Sequence, residues 1–410
     1  MWRAQASPVT PRLWNCSPRS LESPPVTLAE IFRRHGPAFL AGRALSSGLA
    51  KVWRAIVACR TALLGGHVET CNCCGVVRHV YHSCRNRHCP QCQTRAKEDW
   101  LAKRRQELLP VPYFHRVFTL PHALNGLIGQ RPRAIYELLF AVASATLSDF
   151  AANPRWLGGT PAFSLVLHTW KQDLGRHVHV HARVAGGALT AEGEWTSPRR
   201  GFLFPVKALS RVFRGKFRAA LSSARSAGQP LAEALADEKV WHALRRQLLT
   251  HDWVVYAKQP LGGPAQVLEY WARYTHRVAI SNERLVDRDE TTVRFRVRTT
   301  AGKRVLRLPA AVFIERFLLH VLPTGFKRIR HYGLLASAAK GKKLALARQA
   351  LSVPTPDPVI PATVEDFLRR IGRAEYARCP HCPVGRFVLT AVILPQRPAT
   401  PPNLCVRASP

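Results

Sequence analysis

The sequence predicts an α+β protein in which a cysteine-rich metal module precedes a larger core of interleaved strands and helices. Two observations carry this. Seven of the 11 cysteines fall between residues 59 and 92. Downstream, short stretches of period-two alternation are separated by stretches of helical periodicity. A length of 410 residues allows two or three domains, and 47% hydrophobic residues are ample for a buried core.

Taken in order, residues 1–27 are a Pro-, Ser- and Arg-rich leader, predicted to be disordered. LAEIFRRHG (28–36) has helical spacing, and the Ala/Leu/Arg-rich stretch 37–66 reads as helix up to Gly65-Gly66. Residues 67–95 are the dense Cys/His segment, and 97–110 read as a helix stopped by Pro110. YFHRVFTLP (113–121) is a strand and 132–150 a helix. FSLVLHTW (163–170) and HVHVHARV (177–184) are two strands joined by a short polar turn, with a further hairpin near 186–195. Helices follow across 206–250, then the strictly alternating strand TTVRFRVRTT (291–300) and a Pro-bounded helix at 309–323. The chain divides into a leader (1–27), a helix and zinc-binding domain (28–105), a core domain (106–340) and a basic, then Pro-rich tail (341–410) whose last twenty residues are predicted to lack fixed structure.

The charge names a partner class. With 61 Lys+Arg against 25 Asp+Glu, the formal charge is +36. Such an excess repels itself unless a polyanion is bound, and nucleic acid is the obvious one. The basic residues are spread along the chain and not gathered on one amphipathic helix, which disfavours a membrane surface. No run reaches ~18 uninterrupted apolar residues, so no membrane span is expected. The N-terminal MWRAQASPVTPRLWN lacks the apolar segment of a secretory signal. There is no GxxxxGK[ST] loop, so no use of ATP is expected.

Cys71-x-x-Cys74 and Cys89-x-x-Cys92 have the spacing of two zinc knuckles, each placing two thiolates on one side of a tetrahedral ion. One structural Zn²⁺ held by Cys71, Cys74, Cys89 and Cys92 is the expectation. Cys59, His67, Cys84 and His88 either form a second, interleaved site or are buried thiols and solvent- or DNA-facing imidazoles. Cys379-Pro-His-Cys382 stands alone, and one pair cannot close a tetrahedron, so no metal is expected there. Arg85 and Arg87 lie among the cysteines as candidate phosphate contacts.

His177, His179 and His181 recur at a spacing of two, which on a strand turns all three to one face. Neutral imidazole is a common metal ligand, so this ladder is a candidate site for a divalent ion. His168, Gln172 and Asp173 are weaker candidates for a further ligand. Tyr270 and Tyr274 are four apart in EYWARYTHRVAISN and share one face if that segment is helical. A metal to hold a phosphate and paired tyrosines to attack it would suit the cutting of a DNA strand. Arg273 and Arg277 lie beside the tyrosines, placed to grip backbone phosphate.

LGGHVETCNCCGVVRHVYHSCRNRHCPQCQ closely resembles the zinc-binding domain of rolling-circle insertion-sequence transposases. YFHRVFTLPH, LHTWKQDLGRHVHVHARVAGGAL, EYWARYTHRVAISN and FIERFLLHVLPTGFKRIRHYGLL resemble, in order, the blocks that follow in that family. The likeness spans roughly residues 28–340. It implies an HUH (His–hydrophobic–His) endonuclease with a ferredoxin-like core, an antiparallel sheet with flanking helices, and helical insertions. The HUH pair falls on His179 and His181, preceded by His177, and the nucleophiles on Tyr270 and Tyr274, as in the double-tyrosine branch. It also implies Mg²⁺ or Mn²⁺ at the histidines, 5′-phosphotyrosine intermediates, single-stranded element ends and target DNA as partners, and a cytoplasmic, nucleoid-associated location in a bacterium. A rolling-circle replication initiator and a non-catalytic zinc-dependent DNA-binding protein are the alternatives.

Overall fold

The structure is a computed structural model that describes residues 26–199, 202–227, 230–250, 253–261, 267, 278–299, 301–356, 363–382, 384–396 and 406–407. In chain order its strands are β1 (Leu45–Ser46), β2 (Gly66–Cys71), β3 (Val77–Tyr81), β4 (Tyr113–Thr119), β5 (Thr160–Trp170), β6 (Arg176–Leu189), β7 (Trp195–Thr196), β8 (Val255–Leu261), β9 (Leu285–Arg288), β10 (Thr292–Thr299), β11 (Gly302–Pro309), β12 (Ile329–Gly333), β13 (Phe387–Ile393) and β14 (Val406–Arg407). The fold is mixed α+β with antiparallel main sheets. Only the two-residue pair β1–β14 is parallel among the described residues.

The central sheet runs β12-β5-β6-β4-β8, with β7 added to one end of β6. Period-two alternation sorts its side chains between two faces. Phe114, Phe118, Leu165, Leu167, Val180 and Val184 point to one face and join the main core with Leu139, Phe140, Phe213 and Phe217. The last four come from helices Pro132–Ala152 and Val206–Ser226. Helix Pro132–Ala152 is long and apolar enough to cross a membrane, but Ile135, Leu139, Phe140, Ala143 and Leu147 are fully buried in this core.

The opposite face carries the histidines. Towards β12 it is covered by a smaller cluster that includes Val111, Tyr113, Val166, Ala185, Leu334 and Leu344. Val267 is buried in that cluster too. The β5–β6 turn is pinned by His320, which lies 3.1 Å from the Thr169 hydroxyl and 2.9 Å from the Leu174 carbonyl.

Two features depart from the sequence reading. The stretch 37–66 is not one helix: Leu28–Leu40 ends, Gly42 turns the chain at φ +69°, and Ser46 caps a new helix, Ser47–Ala58. These two helices pack against β10 and helix Ala310–Leu318 through Phe32, Trp53, Phe295, Phe313 and Phe317. Within the segment 341–410, β13 pairs with β2 to make the sheet β13-β2-β3, so residues next to the Pro-rich end are an integral part of the cysteine module.

Candidate active site and metal centres

The cysteines form two tetrads, not the single one that the spacing of the knuckles suggests. Cys59, Cys84, Cys89 and Cys92 converge at one point. There the sulfurs of Cys59 and Cys92 are 3.5 Å apart, and Cys84–Cys92 and Cys89–Cys59 are each 3.6 Å apart. Zn–S bonds of about 2.3 Å place tetrahedral sulfurs about 3.8 Å apart, so this set fits zinc. Cys71 and Cys74 lie elsewhere, with Cys379 and Cys382. The expected set of Cys71, Cys74, Cys89 and Cys92 is therefore divided between two places. β2 carries the chain from near Cys59 out to Cys71 and Cys74, and β3 brings it back to Cys84.

The two histidines considered beside the cysteines are not in either tetrad. His67 lies 3.0 Å from Glu69 across its own strand. His88 is buried against the core, where desolvation pulls its imidazole down to about 3, and its ring accepts from Arg87 at 3.4 Å. Arg87 itself donates to the carbonyls of Phe326 (2.5 Å) and Pro323 (3.1 Å). It fastens the cysteine module to the core. Arg85 is exposed and faces a groove of about 750 Å³ that is shared with Arg95, Lys327 and Arg328.

On the central sheet, His168, His179 and His181 bring their ring nitrogens within 4.8 Å of one another. The nitrogens of His179 and His181 are 3.1 Å apart, as are those of His181 and His168. The register explains the set. His168 on β5 lies directly opposite His179 on β6, and opposite residues of an antiparallel pair stand about 5 Å apart at Cβ. His179 and His181 are two apart on one face, but His177 and His181 are four apart, about 13 Å along the strand. His168 therefore joins the pair, and His177 does not. His177 lies towards the rim, 3.4 Å from His122.

Two neighbours fix the imidazoles. His115 on β4 lies 2.9 Å from Nδ1 of His181, leaving Nε2 of His181 towards the cluster. His179 holds its Nδ1 3.0 Å from the carbonyl of His177. An imidazole bonded on one nitrogen presents the other in a defined direction, as metal-binding histidines do. Burial pulls His179 down to about 3, so its lone pair is free for a cation at neutral pH. Trp170 stacks on His168 at 4.6 Å and closes that side. Gln172 and Asp173 lie beyond, in the β5–β6 turn, and are not in the cluster. The signal for His168 in the sequence was the strand pair itself, whose register was not fixed by its residues.

Tyr270, Arg273, Tyr274 and Arg277 lie outside the described residues. The described residues on either side of them are informative. Val267 is buried among Tyr113, Val166 and Ala185, on the histidine-bearing face. Val278 lines a small pocket together with Trp170 and His320.

Residues 162–343 match the family model described as "Putative transposase", and residues 31–120 match that of a transposase zinc-binding domain. The chain is 44% identical over 373 residues to "Putative transposase y4qJ" of Sinorhizobium fredii, covering 88% of this chain and 94% of that protein. The chain belongs to this transposase family. It is also 29% identical over 352 residues to the "Transposase for insertion sequence element IS801" of Pseudomonas savastanoi pv. phaseolicola, covering 82% of each. No solved structure matches. The likeness to insertion-sequence transposases read from the sequence thus holds. A transposase is favoured over a replication initiator or a non-catalytic DNA-binding protein.

Proposed function

We propose that this transposase is an HUH-type endonuclease and strand transferase that cuts and rejoins single-stranded DNA at its element ends. The observation that carries the proposal is the convergence of His168, His179 and His181 on one face of two adjacent inner strands of an antiparallel sheet. Cis ligands of an octahedral ion bound at about 2.1 Å stand about 3.0 Å apart, and the two 3.1 Å separations fit that edge. A divalent cation such as Mg²⁺ or Mn²⁺ would neutralise and orient the scissile phosphate there. The path of the chain supports a ferredoxin-like core. β4, helix Pro132–Ala152, β5, β6, helix Val206–Ser226 and β8 follow one another as βαββαβ, and their strands stand in the order β8-β4-β6-β5.

Tyr274 or Tyr270 is the nucleophile in this reading. Its phenolate oxygen attacks phosphorus, the P–O3′ bond breaks, and the strand leaves with a 3′-OH once its oxygen is protonated. The 5′ end stays on the protein as a phosphotyrosine. The ester conserves the phosphodiester bond energy, so rejoining needs no ATP. A helix continuing from 267 would turn positions 270 and 274 to the same face as Val267, which lies on the histidine side of the sheet. Two tyrosines allow one strand to be held while another is cut. The charge of +36 supplies the phosphate affinity, and a place beside bacterial DNA follows.

The test is a denaturing gel of protein incubated with labelled single-stranded element ends and Mn²⁺. Each single Tyr→Phe change should leave some adduct. Tyr270→Phe combined with Tyr274→Phe should leave none, while DNA binding survives. An adduct persisting in the double variant would show that other residues are the nucleophiles.

A further inference from the structure

The Cys379-Pro-His-Cys382 pair is explained by neither the family match, which ends at residue 343, nor the strand-transfer chemistry. We propose that Cys71, Cys74, Cys379 and Cys382 bind a second structural zinc ion, which locks the C-terminal segment onto the N-terminal module. The four sulfurs converge within one ligand shell. Cys71–Cys382 and Cys74–Cys379 are each 3.6 Å apart, close to the ~3.8 Å edge of a zinc tetrathiolate. Each pair sits in a knuckle whose backbone faces its first sulfur. The amides of Cys73 and Cys74 lie 3.4 and 3.5 Å from Cys71 Sγ, and the amide of His381 lies 3.4 Å from Cys379 Sγ.

The backbone around the tetrad is fitted to it. A Cβ at Gly385 would meet Cys71 Sγ at 2.3 Å and Cys382 Sγ at 2.6 Å, so only glycine lets the chain pass the sulfurs. The two knuckles also hold each other. The Asn72 amide donates to the Arg386 carbonyl at 3.0 Å, and the Arg386 amide donates to the Asn72 side-chain oxygen at 2.8 Å. Further out, β13 pairs with β2 from Phe387↔Cys71 to Ile393↔Gly66. The Arg78 guanidinium sits between the rings of Tyr376 and Phe387, 4.3 and 3.8 Å from their centroids. Without β13, β2 and β3 would be a two-stranded hairpin, which is marginal in water on its own.

Metal analysis of the purified full-length chain tests this. The expected content is two zinc ions per chain, falling to one in Cys379→Ser/Cys382→Ser, with proteolysis within 363–396 accelerated. One zinc in the unaltered chain, or two in the variant, would overturn it. Alkylation of the unaltered chain needs no variant. Exposed Cys73 lies outside both tetrads and should react at once, while exposed Cys74 should be protected until a chelator is added. If Cys74 and Cys382 react as fast as Cys73 in zinc-loaded protein, the proposal fails.

Discussion

Around Cys71, the sheet β13-β2-β3 buries almost nothing: in β2 only Gly66 and Cys71 are buried, and in β3 and β13 no residue is. Around His181, nine consecutive residues of β5 and eleven of the last twelve of β6 are buried, and aromatic side chains fill one face. The two regions have similar strands and opposite sources of stability. A buried face worth about 25 cal/mol per Å² holds the histidine sheet. The sheet around Cys71 has no such face, and under the zinc proposal its order would depend on ligand bonds. Metal therefore plays different parts in the two places. Under the two proposals, metal at the cysteines would be a condition of folding, whereas metal at the histidines would be added to a scaffold that stands without it.

The largest expected effect breaks the comparison if it is wrong. Stripping metal with a strong chelator should remove on the order of 10 kcal/mol from the cysteine module and leave the central sheet folded. In hydrogen exchange, amides of β2 and β3 should lose protection while those of β4, β5 and β6 keep it. Equal loss in both regions would mean that the sheet depends on metal as well.

A smaller effect tests the histidine side. His181→Ala should lower covalent adduct formation by roughly 10³-fold, the scale of several kcal/mol of lost charge stabilisation. It should cost only about 1–3 kcal/mol of stability, because His115 loses one hydrogen-bond partner in a buried site. A variant that unfolds outright would make the cluster structural.

The smallest effect concerns the turn between the histidine strands. His320 is buried, and desolvation lowers its pKa to about 4 from the ordinary 6.5. Between those values the unfolded chain binds more protons than the folded one, so stability falls as pH drops through the window. At pH 5 the loss from this group is about 2 kcal/mol relative to pH 7. Urea unfolding at the two pH values should show it, and His320→Asn should flatten the slope. An unchanged slope in that variant would assign the acid sensitivity to other groups.

The elements most legible in the sequence were those with strong periodicity and clear boundaries. β4, β5, β6, β10 and helix Pro132–Ala152 lie where alternation or helical spacing put them. Of the site, the same-face placement of His179 and His181 follows from spacing alone. The contribution of His168 depends on the register of β5 against β6, which period two leaves free by any even shift. The pairing of the cysteines was misread for a related reason. Spacing identifies a knuckle but not its partner, and the partner of Cys71-x-x-Cys74 is more than 300 residues away. β13 was hidden because a strand packed on one neighbour, with Val388, Leu389 and Val392 exposed, carries no clean alternation.

That distance along the chain also sets an order of events during synthesis. Phe387 pairs with Cys71, so 316 residues must be made between the two halves of the sheet. At 5–20 residues per second this is roughly 15–60 s. For that interval the nascent chain presents β2 with one edge unpaired and two thiols without their mates. Any copy whose message ends early is left in that condition for good. Closure of the sheet around Cys71 thus has to wait until β13 has been made.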